Sequence, residues 1–474
     1  MNIIETLKNI VYSFSANLIS LLISVFMVMI VPKYLSMEDY GLWQLFLFYF
    51  SYLGFLHFGW EDGIYLRYAG KNYNELDSKI FSGQFYSIVI LQIALAVLIS
   101  GMGQIFVVDP IKRTALLCSV WLAPFVNFNN LCNFIMQITN RIKDYAKLLL
   151  TEQLVFFFGV VIFLLILHRN EFHYMYYAKL FSVTSITIAG GYLCRNLLKP
   201  SFYTLKHSLT EAKENLLVGS KLMFANIASM LIIGIIRYGI SLGWDVSTFG
   251  KISLTLGISN FLMVFINSIS VVFFPIVKRM DENRKANTYI VIRNMLDVIL
   301  FAALIGYYPL KCILAWWLPK YADSLIYMTV LFPVCVFESK VSLLINTYLK
   351  SMRKEFLMLK INAGSVVFSL IVTTFTVGIW HNLNAAIFSI VMVYAFRCIL
   401  AEYHVTKLLK LNLFKDIWED LLMCGMFIGS GLIFDSYLCM LIYGFSYLAF
   451  IWVHRRSLFH IINILGKRQI KEET

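Results

Sequence analysis

Long apolar runs dominate the pattern of residues along the chain, and short polar segments separate them. A helix needs about 20 mainly apolar residues to cross the hydrocarbon core of a membrane. Fourteen runs meet this requirement, near 12–31, 41–60, 81–108, 114–138, 148–168, 174–194, 216–240, 249–275, 288–308, 325–349, 361–380, 385–403, 418–434 and 437–453. The pattern therefore predicts an all-α polytopic membrane protein with about 14 transmembrane helices.

Lys and Arg residues are distributed unevenly among the segments that separate these runs. With a cytoplasmic N-terminus, the inner segments carry 27 of the 40 Lys and Arg residues, and the outer loops carry 6. Cytoplasmic loops of membrane proteins are enriched in these residues. The distribution therefore predicts an even number of spans, with both termini in the cytoplasm.

Composition narrows the class of protein further. Hydrophobic residues make up 59% of the chain and charged residues 14%, whereas a soluble domain is about 25% charged. Basic cytoplasmic loops explain the net charge of +13, so this charge does not indicate a nucleic-acid partner. The 8 cysteines lack the spacing of a zinc site or a disulfide framework. Neither a GxxxxGK[ST] phosphate-binding loop nor an HExxH motif occurs, so we predict a non-enzyme without cofactor or metal.

The two halves of the chain share landmarks at an offset of 209 residues. The matched positions are Ala16-Asn17 with Ala225-Asn226, Tyr40-Gly41 with Phe249-Gly250, Pro110 with Pro319, Pro124 with Pro333, Phe128 with Phe337, and Arg141 with Lys350. A repeat of six spans keeps its orientation, so it predicts two lobes related by a pseudo-twofold axis along the membrane normal. The predicted segments are a six-helix lobe at 1–194, a cytoplasmic linker at 195–215, a second six-helix lobe at 216–403, and two peripheral helices with a basic tail at 404–474. Transporters have this architecture, with the substrate path between the lobes.

Basic side chains inside the predicted spans, or at their ends, are candidates for substrate binding. A Lys or Arg at the bilayer centre costs about 2.5–3.5 kcal/mol and faces protein or water. The candidates are Lys179, Lys221, Arg237, Lys251, Arg293 and Arg397, with Lys340 as a further cation. As a set they predict a cationic lumen for an anionic substrate, because Lys and Arg bind phosphates by charge-assisted hydrogen bonds. Snorkelling or local pairs, such as Arg293 with Asp297 one turn later, are the alternative interpretation.

Polar and acidic side chains in the spans add further candidates. Asn129, Asn133 and Gln137 recur every four residues in the fourth span, so they lie on one helix face. This face predicts either a wall that binds the sugar or contacts between helices. The acids inside spans, which are candidates for ion coupling, are Glu152, Asp297 and Glu338.

Four motifs near the N-terminus resemble one family of membrane transporters. The motifs are Phe14-Ser-Ala-Asn17, Val31-Pro-Lys-Tyr-Leu35, Glu38-Asp-Tyr-Gly41 and Phe58-Gly-Trp-Glu-Asp-Gly-Ile-Tyr-Leu-Arg-Tyr68. They resemble the oligosaccharide flippases of the MOP superfamily, the Wzx-like flippases of O-antigen and capsule units. The sequence motifs that carry this resemblance lie in the first ~70 residues. Over the rest of the chain, only the layout of fourteen spans is similar to that of the family. It implies that Asp62 and Arg67 gate the substrate path or contact the headgroup, and a structured cytoplasmic elbow is the alternative.

The resemblance also implies a function. Such a flippase moves undecaprenyl-diphosphate-linked oligosaccharide units across the bacterial cytoplasmic (inner) membrane by alternating access. Its partners are the lipid-linked substrate, the bilayer, H⁺ or Na⁺ as coupling ion, and the polymerase and glycosyltransferases of the same surface-polysaccharide pathway, which makes O-antigen of lipopolysaccharide, capsule or exopolysaccharide. The alternative function is a MATE-like multidrug or ion-coupled small-molecule exporter, because one fold supports several functions. A membrane glycosyltransferase or polymerase is disfavoured, since the sequence has no large outer loops.

Overall fold

The computed structural model describes residues 3–199, 204–261, 263, 266, 273–274, 277–412, 414–434 and 438–472, and over these residues it contains helices and no β-strands. The first helices are α1 (Ile3–Tyr34), α2 (Met37–Leu53), α3 (Trp60–Tyr68), α4 (Ser78–Phe106), α5 (Pro110–Val120), α6 (Ala123–Ile138), α7 (Ile142–Val161), α8 (Phe172–Leu193), α9 (Thr204–Gly243) and α10 (Val246–Ser259). They continue with α11 (Glu282–Ile305), α12 (Tyr307–Trp317), α13 (Leu325–Leu331), α14 (Val334–Ser339), α15 (Asn346–Ser351), α16 (Glu355–Thr373), α17 (Leu383–Leu409), α18 (Phe414–Ile433) and α19 (Leu438–Glu472). The π-helical segments are Ile162–Ile166, Lys340–Ile345 and Thr374–Ile379.

The predicted all-α membrane fold is confirmed. As far as the described residues extend, each of the fourteen predicted runs coincides with a helix or with helices separated by a short break. By length and hydropathy, 8 of the described helical stretches are able to span a membrane, and the bent pair Pro319–Leu331 and Val334–Ser351 adds a ninth. Other helices are shorter, since α2 has 17 residues and α10 has 14.

The second predicted span, 41–60, ends in a break, because α2 ends at Leu53, α3 begins at Trp60, and Gly59 between them has a φ angle of 90°. A break inside a membrane is tolerated when other groups bind the freed backbone atoms. Here two side-chain amides do so. Asn127 Nδ2 donates to the Leu53 carbonyl oxygen, and Gln92 Nε2 donates to the Leu56 carbonyl oxygen, each at 3.0 Å. The break is therefore a hydrogen-bonded part of the fold.

The structure revises the alignment of the two halves beyond the matched prolines. Residues with positive φ recur in both halves, and the pairs are Asn140 with Arg353 and His168 with His381, each 213 residues apart. The residues that precede α7 and α16, Arg141 and Lys354, have the same separation. The match of Arg141 with Lys350 is therefore wrong by four residues. The second copy contains the π-helical segment Lys340–Ile345, whereas α6 is a regular α-helix, so the additional residues coincide with an irregular span.

Contacts divide the chain into two compact units. The N-terminal unit comprises Met1–Ile227 and Trp244–Ser253, and the C-terminal unit comprises Ala228–Gly243 and Leu254–Thr474. Helices α9 and α10 therefore contribute residues to both units. The first boundary falls later in the chain than the predicted linker at 195–215, and the two six-helix lobes stay a prediction.

Each unit has its own apolar core. In the N-terminal unit, Phe85 of α4 and Leu131 of α6 belong to one buried cluster. In the C-terminal unit, the ring of Phe427 lies 5.2 Å from the rings of Tyr307 and Tyr443, centroid to centroid, in edge-to-face contacts. The helices that form these two cores also carry polar side chains, which are described next.

Candidate functional site

An ion-paired contact joins α3 to the first part of α9 within the N-terminal unit. Arg67 Nη1 donates to Glu211 Oε2 at 2.8 Å and to Asn215 Oδ1 at 2.6 Å, and Arg67 Nη2 donates to Glu214 Oε2 at 2.5 Å. Tyr68 Oη donates to Glu211 Oε2 at 3.1 Å. Burial and the Glu211 carboxylate raise the pKa of Tyr68 to about 12, so its hydroxyl stays a donor. The acceptors have helical i, i+3 and i+4 spacing, so one guanidinium reaches all three. These five residues are the Arg67 clamp.

Glycines bring the backbones of α3 and α9 into direct contact beside the clamp. A Cβ atom at Gly63 would lie 2.0 Å from the Asn215 carbonyl oxygen, and one at Gly219 would lie 2.0 Å from the Gly59 carbonyl oxygen. Neither distance is compatible with a side chain. Gly59 and Gly63 belong to the Phe58–Tyr68 motif, so this part of the motif is explained by close helix packing.

A second close contact joins α2 to α10 in the same unit. A Cβ atom at Gly41 would lie 2.1 Å from the Val246 carbonyl oxygen, and one at Gly250 would lie 2.7 Å from the Gly41 Cα atom. The start of α2 is fixed by its cap, because the Ser36 hydroxyl accepts from the Asp39 N–H at 3.0 Å. The broken α2–α3 segment is therefore held near both of its ends, by α10 and by α9.

Two carboxylates of the same motif are buried beside the break. Glu61 is 0% exposed and Asp62 is 7% exposed. His57 Nε2 lies 3.9 Å from Glu61 Oε2 and 3.8 Å from Asp62 Oδ2. Among the described residues, neither Glu61 oxygen has a hydrogen-bond partner. Asp62 was predicted from the sequence, whereas Glu61 and His57 were missed, although all three lie within five positions of one another.

Two acids predicted for ion coupling pair with cations predicted for substrate binding. Lys179 Nζ lies 2.8 Å from Glu152 Oε1 and also faces the ring of Phe50 at 4.7 Å from its centroid. Arg397 Nη1 lies 2.7 Å from Glu338 Oε2. In each pair, a residue predicted to bind the substrate contacts a residue predicted to bind the coupling ion. A substrate phosphate would therefore compete with a carboxylate for the cation.

A buried charge network occupies the C-terminal unit. Arg293 Nη1 lies 2.7 Å from Asp297 Oδ2, Arg293 Nε lies 2.5 Å from Glu402 Oε1, and Arg293 Nη2 lies 2.7 Å from Asp420 Oδ2. Lys340 Nζ lies 2.5 Å from Asp297 Oδ1 and also contacts Asp420. Each of the five side chains is at most 6% exposed. The network connects α11, α17 and α18 to the start of the π-helical segment Lys340–Ile345. With all five groups ionised, it holds two positive and three negative charges.

The network contains the local pair of Arg293 with Asp297, which was the alternative to substrate binding by Arg293. It also contains two acids, Glu402 and Asp420, that were not predicted. Glu402 and Asp420 lie at the ends of their predicted apolar runs, where hydropathy cannot separate a buried position from a loop. Together with Glu61, they bring the number of buried acids closer to that of the cations. The excess of interior positive charge is therefore smaller than the sequence indicated.

The remaining basic candidates differ in their surroundings. Lys221 is exposed, whereas Arg237 and Lys251 are half-buried. Lys221 lies on α9, two residues after the Gly219 contact. Among the described residues, Lys221 forms no ion pair with a carboxylate.

The polar face of α6 contributes at least one contact between helices. Asn129 is buried, and its Nδ2 donates to the Val183 carbonyl oxygen of α8 at 3.2 Å. The Oδ1 atoms of Asn129 and Asn133 are buried without a hydrogen-bond partner among the described residues. Gln137 is half-buried. Asn129 therefore forms a contact between helices, which was the alternative interpretation of this face. A sugar-binding wall stays a prediction.

One group of side chains in the described part of the chain has the composition of a metal site. The ligand atoms of Asp416, Glu419 and His454 lie within 4.8 Å of one another. His454 Nε2 is 3.1 Å from Glu419 Oε2. The contact of His454 with Glu419 accounts for the short distance between these two side chains.

Comparisons with known proteins agree with the fold. No protein-family model matches the chain, and no curated protein matches it significantly. The solved structure of the lipid II flippase MurJ in an inward closed conformation is similar, with a TM-score of 0.67 and 14% identity over 95% of this chain and 100% of that chain. An inward-facing multidrug resistance MATE family transporter of the MOP superfamily gives a TM-score of 0.53 and 13% identity over 88% of this chain and 100% of that chain. The chain therefore has the fold of these transporters.

Proposed function

We propose that the chain is a flippase that translocates undecaprenyl-diphosphate-linked oligosaccharide units across the bacterial cytoplasmic membrane. The observation that carries this proposal is the likeness in fold to a lipid II flippase over 95% of this chain. The likeness to the multidrug transporter is weaker, with a TM-score of 0.53 against 0.67. The N-terminal motifs, which resemble O-antigen and capsule-unit flippases, support the same class of substrate.

Cations are the natural ligands for the diphosphate of such a substrate, because Lys and Arg bind phosphate oxygens by charge-assisted hydrogen bonds. Lys221 is the first candidate, since its exposed ammonium group forms no ion pair with a described carboxylate. Arg237 and Lys251 are further candidates. Lys179 and Arg397 bind phosphate only when they exchange the carboxylates of Glu152 and Glu338 for it.

Arg293 has a different role in this proposal. Three carboxylates surround its guanidinium, so a phosphate near it meets more negative than positive charge. We assign it to the packing of α11 against α17 and α18.

The Arg67 clamp and the Gly59–Gly219 contact form the gate on the predicted cytoplasmic side. Substrate entry requires α3 to move away from α9, which breaks the hydrogen bonds of Arg67 and exposes the carboxylate of Asp62. Partly exposed ion pairs contribute about 0–1 kcal/mol each. Such a contact holds the closed state and still opens on the timescale of transport.

The second candidate function is a MATE-like multidrug or ion-coupled exporter. The observation that favours it is the presence of buried carboxylates in both units, which H⁺ or Na⁺ coupling requires. Glu152, Asp297 and Glu338 are the predicted coupling acids, and each is paired with a cation. An exporter predicts that the purified protein moves cationic drugs and leaves lipid-linked sugars in place.

The experiment that separates the two functions is deletion of the protein in its host, with the polymerase and glycosyltransferases intact. A flippase predicts that undecaprenyl-linked sugar accumulates in the inner leaflet and that surface polysaccharide is lost. Accumulation in the outer leaflet, or no accumulation together with increased drug sensitivity, contradicts the flippase.

A further inference from the structure

We propose that Asp416, Glu419 and His454 form a binding site for a divalent transition-metal cation of the Zn²⁺ type, which links the start of α18 to α19. The three ligand atoms lie within 4.8 Å of one another. Both helices belong to the C-terminal unit. The site does not depend on the identity of the transported substrate, so it goes beyond the proposed function.

The two acids lie on one side of α18. Asp416 and Glu419 are three residues apart, and residues with this spacing are neighbours on the surface of a helix. Because α18 begins at Phe414, Asp416 lies in its first turn, where a negative charge also stabilises the start of the helix. This role does not account for Glu419, which lies beyond the first turn and contacts His454 of α19.

The imidazole of His454 is oriented by the preceding turn of α19. His454 Nδ1 lies 3.1 Å from the Phe450 carbonyl oxygen. A carbonyl oxygen only accepts, so Nδ1 carries a proton, and in the neutral ring Nε2 then carries a lone pair. The ring of Phe450 also packs against the imidazole, with 4.5 Å between the two centroids. Metal-bound histidines have this arrangement, in which one ring nitrogen donates to a carbonyl or carboxylate and the other binds the metal.

The lone pair of Nε2 faces a carboxylate oxygen. Nε2 is 3.1 Å from Glu419 Oε2, and two acceptors at this distance repel each other unless a proton or a metal ion lies between them. The ligands of a tetrahedral Zn²⁺ lie about 2.0–2.2 Å from the ion and therefore about 3.4 Å apart. The observed distance is close to this value. A shared proton would serve His454 and Glu419 only, whereas a metal ion also binds the carboxylate of Asp416 after a small side-chain rotation.

The charges around the site favour a cation with an affinity for nitrogen. Lys415 Nζ lies 3.9 Å from Glu419 Oε1, but the lysine side chain is 85% exposed, so water screens this pair. Arg455, which follows His454, faces the ring of Trp452 at 4.8 Å from its centroid. Two carboxylates and one imidazole are a ligand set for Zn²⁺ and similar ions, whereas Mg²⁺ and Ca²⁺ prefer oxygen ligands alone.

The site is accessible to an ion from water. The side chains of His454 and Glu419 are 17% and 25% exposed, and His454 lies near the end of the apolar helical stretch Leu438–Arg455. This position is at the membrane surface on the predicted cytoplasmic side, so water molecules complete the coordination of the ion. Sequence motifs predicted no metal, because the histidine lies on the helix after the one that carries the two acids.

Calorimetric titration of the metal-free, full-length protein with Zn²⁺, after purification without a histidine tag, tests the site. Loss of a group that only orients a metal ligand already weakens binding by about 10- to 100-fold, so His454→Gln should raise the Kd for Zn²⁺ at least about tenfold. The matched control is His404→Gln. His404 Nδ1 has the same contact with a carbonyl oxygen, that of Leu400 at 2.8 Å, but among the described residues His404 forms no ion pair with a carboxylate. Equal affinity of His454→Gln and the wild type overturns the proposal, and so does a wild type that does not bind Zn²⁺.

X-ray absorption spectroscopy of the Zn²⁺-loaded wild type identifies the ligands without any substitution. The spectrum should show one imidazole nitrogen and otherwise oxygen ligands. Bound Zn²⁺ without an imidazole ligand would contradict a site that includes His454, even if the variants do not fold.

Thermal unfolding tests whether the ion links the two helices. A ligand that binds only the folded protein raises its melting temperature, so Zn²⁺ should raise that of the wild type, and Glu419→Gln should lose most of this shift. Mg²⁺ at the same concentration is the control, because it prefers octahedral coordination by oxygen. Equal shifts with Zn²⁺ and Mg²⁺, or an undiminished shift in Glu419→Gln, reject the proposed link between α18 and α19.

Discussion

Arg67 and Glu211 are 144 residues apart in the sequence, and their side chains form an ion pair of 2.8 Å. Arg67 lies in the motif that resembles flippases, whereas Glu211 lies in the segment that was predicted only as a linker. The pair therefore connects α3, which follows the second predicted span, to the first part of α9. This connection is the basis of the first two predictions.

The first prediction concerns the electrostatic part of this contact. Arg67→Ala removes the hydrogen bonds to Glu211, Glu214 and Asn215. The side chains of Arg67 and Glu211 are 25% and 23% exposed, so solvent screens the pair. We therefore expect the substitution to destabilise the closed contact, relative to the open one, by about 1 kcal/mol. This loss corresponds to an approximately fivefold shift towards the open contact. Faster hydrogen exchange in segment 211–220 should report the shift.

The control for this prediction is Arg141→Ala. Arg141 pairs with Asp144 within one turn at 2.8 Å, and its side chain is 24% exposed, so it matches Arg67 in exposure. Its other described contacts are with the Leu193 carbonyl oxygen and the ring of Tyr73, neither of which belongs to α9. Arg141→Ala should leave exchange in segment 211–220 unchanged. Equal exchange in the two variants would mean that the clamp does not hold α9.

The second prediction concerns the backbone contact. In Gly219→Ala the new Cβ atom would lie 2.0 Å from the Gly59 carbonyl oxygen, so α3 and α9 must separate. Overpacking of this kind costs about 1–3 kcal/mol, and we expect a lower melting temperature and loss of translocation. Gly429→Ala is the control, because a Cβ atom at this position would have open space within 4 Å. If both variants have the melting temperature of the wild type, the close contact between α3 and α9 does not contribute to the stability of the protein.

Hydropathy predicted the helices well because a membrane-spanning helix needs a long apolar run, and this requirement is local in sequence. The breaks inside the spans depend on distant partners. The break after Leu53 is stabilised by Asn127 and Gln92, and no local pattern shows that these polar side chains meet it. The runs 41–60 and 325–349 therefore looked like continuous spans in the sequence.

The candidate site was predicted in part, since residue type is visible in a sequence but pairing is not. Counting cations predicted a positive interior, whereas Arg293 lies among three carboxylates. Two of these, Glu402 and Asp420, lie at the ends of their predicted apolar runs and were not among the predicted candidates. A polar residue at the edge of an apolar run is therefore the signal that could have identified the buried charge network.

The third prediction uses the charge balance of this network. With all groups ionised it holds one more negative than positive charge. Lys340→Met removes a cation and leaves Asp297 and Asp420 with less positive charge near them. We therefore expect the free energy of unfolding to fall by about 3–5 kcal/mol. Asp420→Asn removes a negative charge and should destabilise the protein much less. The melting temperature of the purified protein in detergent measures both effects.

The double variant Lys340→Met with Asp420→Asn restores the original balance of charge. It should therefore be more stable than Lys340→Met alone, although it has one more substitution. Additive losses in this double-mutant cycle would contradict a network held together by charge.

The fourth prediction tests the binding of the diphosphate. Lys221 is exposed on α9, and its ammonium group forms no ion pair with a described carboxylate, so Lys221→Ala should weaken substrate binding without loss of stability. A charge-assisted hydrogen bond contributes about 1.5–3 kcal/mol, so we expect a Kd for a polyprenyl diphosphate in nanodiscs that is higher by about 10- to 150-fold. Lys221→Arg retains the charge and should recover most of the affinity. Lys320→Ala removes another exposed lysine and serves as the control for general electrostatic attraction. Equal weakening by Lys221→Ala and Lys320→Ala would show that the net positive charge of the protein, rather than a site on α9, attracts the phosphate.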